Sequence, residues 1–235
     1  MASRKVENPQ NPRSAATRKR TRIQAEKQEL ILEAALDVFS RNGFRGSTID
    51  QIAERAGLSK PNLLYYFRTK EAIHRQLIDR LLENWLGPLQ QIDPDGEPIE
   101  EIRSYIRRKL QLARDYPRES RLFANEILQG APRIGEELAD LKQLVDEKSE
   151  IFETWIARGE LAPSDPRHLL FSIWAVTQHY ADFDAQVQAV LGAGVEDEAR
   201  FEEAARYLDQ LFVNGLKPNG LKETGLKETG LKPKG

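Results

Sequence analysis

GFRGSTIDQIAERAGLSKPNLLYYFRTK, residues 43–70, holds two short helical patterns separated by a tight AGLS turn. Thr48 followed three residues later by Gln51 fits a capping box and opens the first pattern. Gly57 just past Ala56 closes it, because glycine accepts the left-handed backbone that ends a helix. Ser59 is placed to cap the second pattern, with Pro61 tolerated in its first turn. Ile52 and Leu63 are spaced to pack the two helices together, Ala53 allows close approach, and Leu58 fills the space beneath the turn. This arrangement predicts a helix-turn-helix, whose second helix enters the major groove of DNA.

The residues left on the outside suit that task. Lys60, Pro61, Asn62 and Leu64 stand at the start of the second helix, where base edges would lie. Asparagine can read adenine with two hydrogen bonds, lysine can reach guanine, and leucine or proline can touch a thymine methyl. Tyr66, Lys70 and the Thr48 hydroxyl are expected at phosphates. An ordinary helical hairpin with aromatic packing residues is the alternative reading of the same spacing.

Working outward, residues 1–22 carry seven basic side chains (Arg4, Lys5, Arg13, Arg18, Lys19, Arg20, Arg22) against one acid, Glu7. The arm is thus +6 in a chain of net charge −2, which leaves −8 on the remainder. A basic arm on an acidic body is expected where one end meets a polyanion, although a solubilising tail has the same composition. The arm is rich in Pro, Asn, Ser and Arg, lacks apolar periodicity, and is expected to be disordered when free.

From Lys27 to Arg41, Leu30, Ile31, Ala34, Ala35, Val38 and Phe39 recur at helical spacing. A fourth helix, capped by Thr69, carries Ile73, Leu77, Leu81, Trp85 and Leu89 along one stripe. Amphipathic segments follow at about 99–114, 117–129, 134–158, 167–190 and 197–214, with no sustained alternation of β-branched residues. The fold class is therefore all-α: a three-helix helix-turn-helix domain over 23–68 and a helical bundle over 69–215. Residues 216–235 read LKPNG LKETG LKETG LKPKG, a five-residue repeat with too few apolar positions for a core, expected to be a flexible tail.

Composition excludes several functions. The 235-residue chain has no cysteine, so disulfides, thiolate metal sites and cysteine nucleophiles are absent. No apolar run approaches the roughly 20 residues of a membrane span, so a cytoplasmic location and no membrane partner are expected. No Gly-rich phosphate loop or nucleophile elbow occurs, and no cofactor is expected. His179 and Asp182 share a helix face and could ligate a metal, but two ligands without a third define no site, and a hydrogen-bonded pair is the other reading.

Polar groups set in apolar helices need partners, which makes them pointers to a small ligand. In FSIWAVTQHYADF, residues 171–183, Phe171, Trp174 and Gln178 fall on one face, an aromatic floor beside a two-sided amide. The amide matches the edge of a small heterocycle and tryptophan can stack on its plane. Asn125 and Glu126 interrupt the apolar run in RLFANEILQGAP, and Arg121, Trp85 and Lys148 are further candidates. Ordinary bonds between helices are the alternative for each.

The stretch 39–70, with Gly43, Phe44, Thr48, Ile52, Ala53, Ala56, Gly57, Ser59, Leu63, Tyr65, Phe67 and Lys70, resembles the N-terminal domain of TetR-family regulators. That resemblance implies a homodimer, pairing through its last two helices, that binds double-stranded operator DNA and is released by a small effector bound in its helical domain. RDYPRESRLFANEILQGAP, DLKQLVDEKSEIFETW and IWAVTQHYADFDAQVQAVLG are similar to the pyrimidine-utilisation (Rut) branch of that family. This narrower resemblance implies uracil, or the related thymine, as the effector. A regulator answering to another small molecule, a ligand-independent DNA-binding protein and a small metal-dependent enzyme are the competing functions.

Overall fold

The computed structural model describes the backbone of residues 12–192 and 197–218, and the side chains of 22–192 and 198–218. Among these residues there are ten helices and no strand. They are α1 (Pro12–Asn42), α2 (Ile49–Arg55), α3 (Lys60–Tyr66), α4 (Lys70–Gln90), α5 (Pro98–Asp115), α6 (Pro117–Leu128), α7 (Gly135–Ala157), α8 (Pro166–Asp182), α9 (Asp184–Leu191) and α10 (Asp197–Leu216). The contacts divide the chain into two compact units. One, the head, runs to Arg80 and takes in Arg121–Arg133; the other, the body, comprises Leu81–Ser120 and everything from Ile134. Helices α4 and α6 each contribute residues to both units.

Local chemistry shapes the head. The Thr48 hydroxyl accepts the Gln51 N–H at 3.2 Å, while the Gln51 side-chain oxygen accepts the Thr48 N–H at 2.8 Å, the reciprocal capping box. Gly57 sits at φ 64°, a conformation that costs a non-glycine residue strain, and lets the chain turn into α3. Ser59 caps α3 through its oxygen to the Asn62 N–H. Ile31, Ala35 and Phe39 of α1, Ile52 of α2, Leu63 of α3 and Ile73 of α4 are all fully shielded from solvent. Each isoleucine, leucine and phenylalanine among them contributes about 1.5–3 kcal/mol by leaving water. The buried Asp37 carboxylate ties α1 to α2, bonding Arg41 of its own helix and Arg55 at 2.6 Å.

Helix α1 begins at Pro12, so residues 12–22 of the arm expected to be disordered are helical here. Proline suits the first turn of a helix, and Ala, Arg and Lys behind it are strong helix formers. Residues 1–11, and the repeat tail from 219 onward, lie outside the described residues.

In the body, α5 is the central helix, packed against α8 and α10. Ile102, Ile106 and Leu110 of α5, Phe152 and Trp155 of α7, Leu170 and Ile173 of α8, and Leu208 of α10 form one core. Asp165 caps α8 by accepting the N–H groups of Arg167 and His168. Arg103 on α5 reaches Asp209 on α10, and the Ala162 N–H donates to the Leu216 carbonyl at 2.8 Å, holding the end of α10. The helix expected to run unbroken from 167 to 190 stops at Asp182. Phe183 leaves helical geometry (φ −113°, ψ 29°) and a new helix, α9, starts at Asp184.

Candidate functional sites

The outer face of α3 carries the residues expected at bases. Lys60, Pro61 and Asn62 are exposed, Leu64 is half-buried, and Leu63 points into the core. The Lys60 ammonium bonds the Asp50 carboxylate at 2.9 Å, both side chains being largely in water. An exposed pair of this kind contributes at most about 1 kcal/mol, so Lys60 can exchange it for another acceptor. Tyr66 is half-buried and meets Tyr65 edge-on, ring centroids 5.1 Å apart. Tyr65 itself is 65% exposed and lies one turn beyond Pro61 on the same face. From sequence only Tyr66 of the two was expected at DNA, and Tyr65 entered only through the family resemblance.

Two residues assigned to phosphates already have bonds within the head. The Thr48 hydroxyl is engaged in the capping box. The Lys70 ammonium donates to the carbonyls of Phe44 and Ser47, both at 2.7 Å, and lies 4.1 Å from the centre of the Phe44 ring. Burial is the main cause holding its pKa below that of an ordinary lysine.

Beside Phe44 the head buries a polar cluster. Arg133 donates to the Glu126 carboxylate through its backbone N–H at 3.0 Å and its guanidinium at 2.9 Å. The guanidinium carbon is 3.7 Å from the centre of the Phe44 ring. His74 packs edge-on against Phe39 and Phe44 and brings Nε2 to 3.6 Å from Glu126. Burial, only partly opposed by the Glu126 charge, pushes His74 down to about 4. The imidazole is therefore neutral at pH 7, and its approach to Glu126 is not an ion pair at that pH.

That depression has a sign in stability. An unfolded His74 takes up its proton near 6.5 and the folded one only near 4. Between those values the unfolded chain binds more protons, so stability is full above pH 6.5 and is lost as the pH falls toward 4. The loss is on the order of 3 kcal/mol. Urea midpoints measured from pH 7 to 4.5 should fall more steeply for the native protein than for His74→Phe. Parallel curves would remove His74 as the cause.

The residues expected to hold a ligand divide between the units. Trp85, Lys148, Phe171, Trp174 and Gln178 belong to the body, whereas Arg121, Asn125 and Glu126 belong to the head. Lys148 donates to the carbonyls of Gln90 and Ile92, closing the C-terminal end of α4. Phe171 is 51% exposed and tilts against Trp174. Gln178 is half-buried on α8.

What gathers Trp85 and Trp174 is α5, which sequence reading did not include. The Trp174 indole N–H bonds the Tyr105 hydroxyl at 2.6 Å. One turn along α5, the Lys109 ammonium stands 4.3 Å from the centre of the Trp85 ring. Lys109 is only 5% exposed. Burial lowers its pKa to about 8, with the Asp182 carboxylate working in the opposite direction. Asp182 also accepts the hydroxyl of fully buried Ser120, on α6. Around α5 the body thus gathers a buried cation, two of its tryptophans, a phenol and a carboxylate, with half-buried Gln178 one helical turn from both Trp174 and Asp182 on α8. Such a set can grip a planar molecule by its faces and donate to its carbonyl oxygens. A separate groove of about 550 Å³ between α5 and α10 mixes Arg107, Arg114 and Arg206 with Glu202 and Asp209 over an apolar floor.

Among the described residues there is no cluster of three or more groups able to hold a metal ion. No described helix is long and apolar enough to cross a membrane.

A capped helix-turn-helix joined to a helical body with a buried polar centre is the architecture of a DNA-binding regulator. Residues 31–77 match the model of the bacterial regulatory proteins of the tetR family, and residues 78–219 match that of the YcdC-like protein C-terminal region. The HTH-type transcriptional regulator RutR of Escherichia coli K12 is 49% identical over 203 residues, covering 86% of this chain and 96% of that protein. Solved structures share the fold at lower identity. A tetR-family regulatory protein from Rhodococcus RHA1 gives a TM-score of 0.66 at 16% identity, covering 81% of this chain and 97% of its own. AibR, solved in complex with isovaleryl coenzyme A and operator DNA, gives 0.58 at 21% identity, covering 79% and 97%. The chain belongs to the tetR family, and it is a helix-turn-helix transcriptional regulator similar to RutR.

Proposed function

We propose that this regulator acts as a cytoplasmic homodimer without enzymatic activity, reading operator DNA through α3 and leaving it when uracil or a related pyrimidine binds the body. The observation that carries the effector assignment is buried Lys109 over the face of Trp85, one turn from the Tyr105 hydroxyl that holds Trp174. A uracil ring offers two flat faces, two carbonyl acceptors and two N–H donors. Trp85 and Trp174 suit the faces, Lys109 a carbonyl, and the Gln178 amide an adjoining donor–acceptor edge. The near half identity to RutR along almost the whole of that protein supports the same reading.

Pairing through the body is supported by apolar side chains left in water on α8, at its junction with α9, on α9 and on α10. Phe171, Phe183, Val190, Tyr207 and Leu211 are between 49% and 76% exposed. A two-fold axis through such a surface presents two copies of α3, the arrangement a palindromic operator requires. Asn62 and Lys60 read bases, with Pro61 and Leu64 at the methyl-bearing edge, while Tyr66 contacts the backbone. Pyrimidine shifts the dimer toward a form whose heads no longer match successive major grooves, which requires tighter pyrimidine binding to the DNA-free form.

One experiment addresses both halves. Operator fragments selected from a random library are bound by gel shift with and without uracil, using native protein and Asn62→Ala. Native protein should release DNA on adding uracil. Asn62→Ala should lose discrimination worth about 1–3 kcal/mol at one base pair. Indifference of the native protein to uracil would sink the effector assignment, and unchanged base preference in Asn62→Ala would sink the role of α3.

A further inference from the structure

Within the body, α5 and α10 face each other across the groove of about 550 Å³. Arg103 of α5 bonds Asp209 of α10, while Arg114, further along α5, lies in the field of Glu198 and Glu202, earlier on α10. The two helices therefore run antiparallel, and counting along them from either contact sets Arg107 opposite Arg206. Both guanidinium groups line the groove and are exposed, and neither has an ion pair or hydrogen bond among the described residues. The acids on the same walls face cations of their own, Asp209 that of Arg103 and Glu202 that of Arg114. Leu110 and Phe201, 3% and 7% exposed, form an apolar floor with half-buried Ala205.

We propose that this groove binds a small amphiphilic carboxylate, its head held between Arg107 and Arg206 and its apolar chain laid along Leu110, Ala205 and Phe201. Two like charges facing across a cleft repel, and an anion between them turns that repulsion into two attractions. The planar fork of each guanidinium matches a carboxylate with paired hydrogen bonds. On α5 the groove takes Arg107, Leu110, Gln111 and Arg114, the i, i+3, i+4, i+7 positions of one helix face. A seam that only packed two helices would be apolar there, and arginine in its middle leaves the cleft open. Its volume lies within the roughly 300–1,000 Å³ of small-molecule sites. The groove shares no side chain with the pyrimidine pocket, so its ligand is an addition to the effector and not a substitute for it.

Full-length protein is titrated with decanoate by isothermal calorimetry, below the concentration at which decanoate forms micelles, with acetate and decanol alongside. Decanoate should bind saturably, and acetate and decanol about tenfold more weakly or worse, each lacking one half of the recognition. Arg107→Gln/Arg206→Gln should weaken decanoate by about tenfold or more, the effect of losing charged donors. Ala205→Trp fills the floor while keeping both arginines, and should weaken it as far. Operator binding by gel shift reports that each variant is folded. Equal affinity for decanol would mean a cleft indifferent to charge, and equal affinity for acetate a bare anion site. Native affinity in either variant would place the ligand elsewhere. Each of these results overturns the proposal, as does the absence of decanoate binding to the native protein.

Discussion

Glu126→Ala is expected to destabilise the head by about 1–3 kcal/mol, the cost of leaving hydrogen-bonded groups without their buried acceptor, since the Arg133 side chain keeps 23% of its surface in water. Its carboxylate is 1% exposed and accepts both the backbone N–H and the guanidinium of Arg133. Without it, the Arg133 charge stays beside the Phe44 ring, and the Lys70 ammonium lies over that same ring. Arg133 then loses its buried counter-charge while its positive charge still disfavours that of Lys70 across the ring. Phe44 also packs against Phe39 and His74, so disorder there reaches the wall that supports the turn before α2. Chemical denaturation should show the loss, and operator binding should weaken in parallel because α3 rests on the same core. Glu126→Gln retains an acceptor for the Arg133 N–H and should fall between the two. A variant as stable as the native protein would mean that Arg133 finds water or another acceptor at no cost.

Lys109→Met should weaken uracil binding by about 10- to 150-fold while leaving ligand-free operator binding intact. A hydrogen bond from a charged donor contributes about 1.5–3 kcal/mol, which is that factor in affinity. Methionine matches the length of the lysine stem and still packs on the Trp85 ring, so the change removes charge and donor rather than volume. Tryptophan fluorescence would give the affinity and a gel shift the release. A pH signature belongs to the same residue. Lys109 loses its proton near pH 8, so native affinity should decline from pH 7 to 9 beyond any change seen in Lys109→Met. The Tyr105 phenol is pushed upward by burial and stays protonated throughout that range. Release by Lys109→Met at the native uracil concentration would place the pocket elsewhere.

The helix-turn-helix was legible because its signals are local. The capping box spans Thr48 to Gln51, the left-handed turn needs Gly57 alone, and Ile52 and Leu63 fall eleven positions apart along one short segment. The body was legible as helices but not as a site. Trp174 and Gln178 were identified by standing out on an apolar face. Lys109 was not, since in RRKLQLARD it is one basic residue among several on a helix that reads as charged. Its neighbours Arg107 and Arg108 remain exposed while Lys109 turns inward. Likewise Asn125 and Glu126 read as one interruption of an apolar run, yet Glu126 is bonded to Arg133 within the head. The end of α8 at Asp182 has no glycine or proline to announce it.

The sequence alone determined the all-helical class and the reading head, because capping, turn and periodicity act over a few residues, while the family entered by the resemblance of whole stretches such as 39–70. Only the tertiary structure decided which polar groups meet. Trp174 bonds a tyrosine 69 residues away, and Ser120 an aspartate 62 residues away. A buried lysine and an exposed one are the same letter in a sequence. What separates them is the loss of water around the charge, and that depends on every helix packed against it.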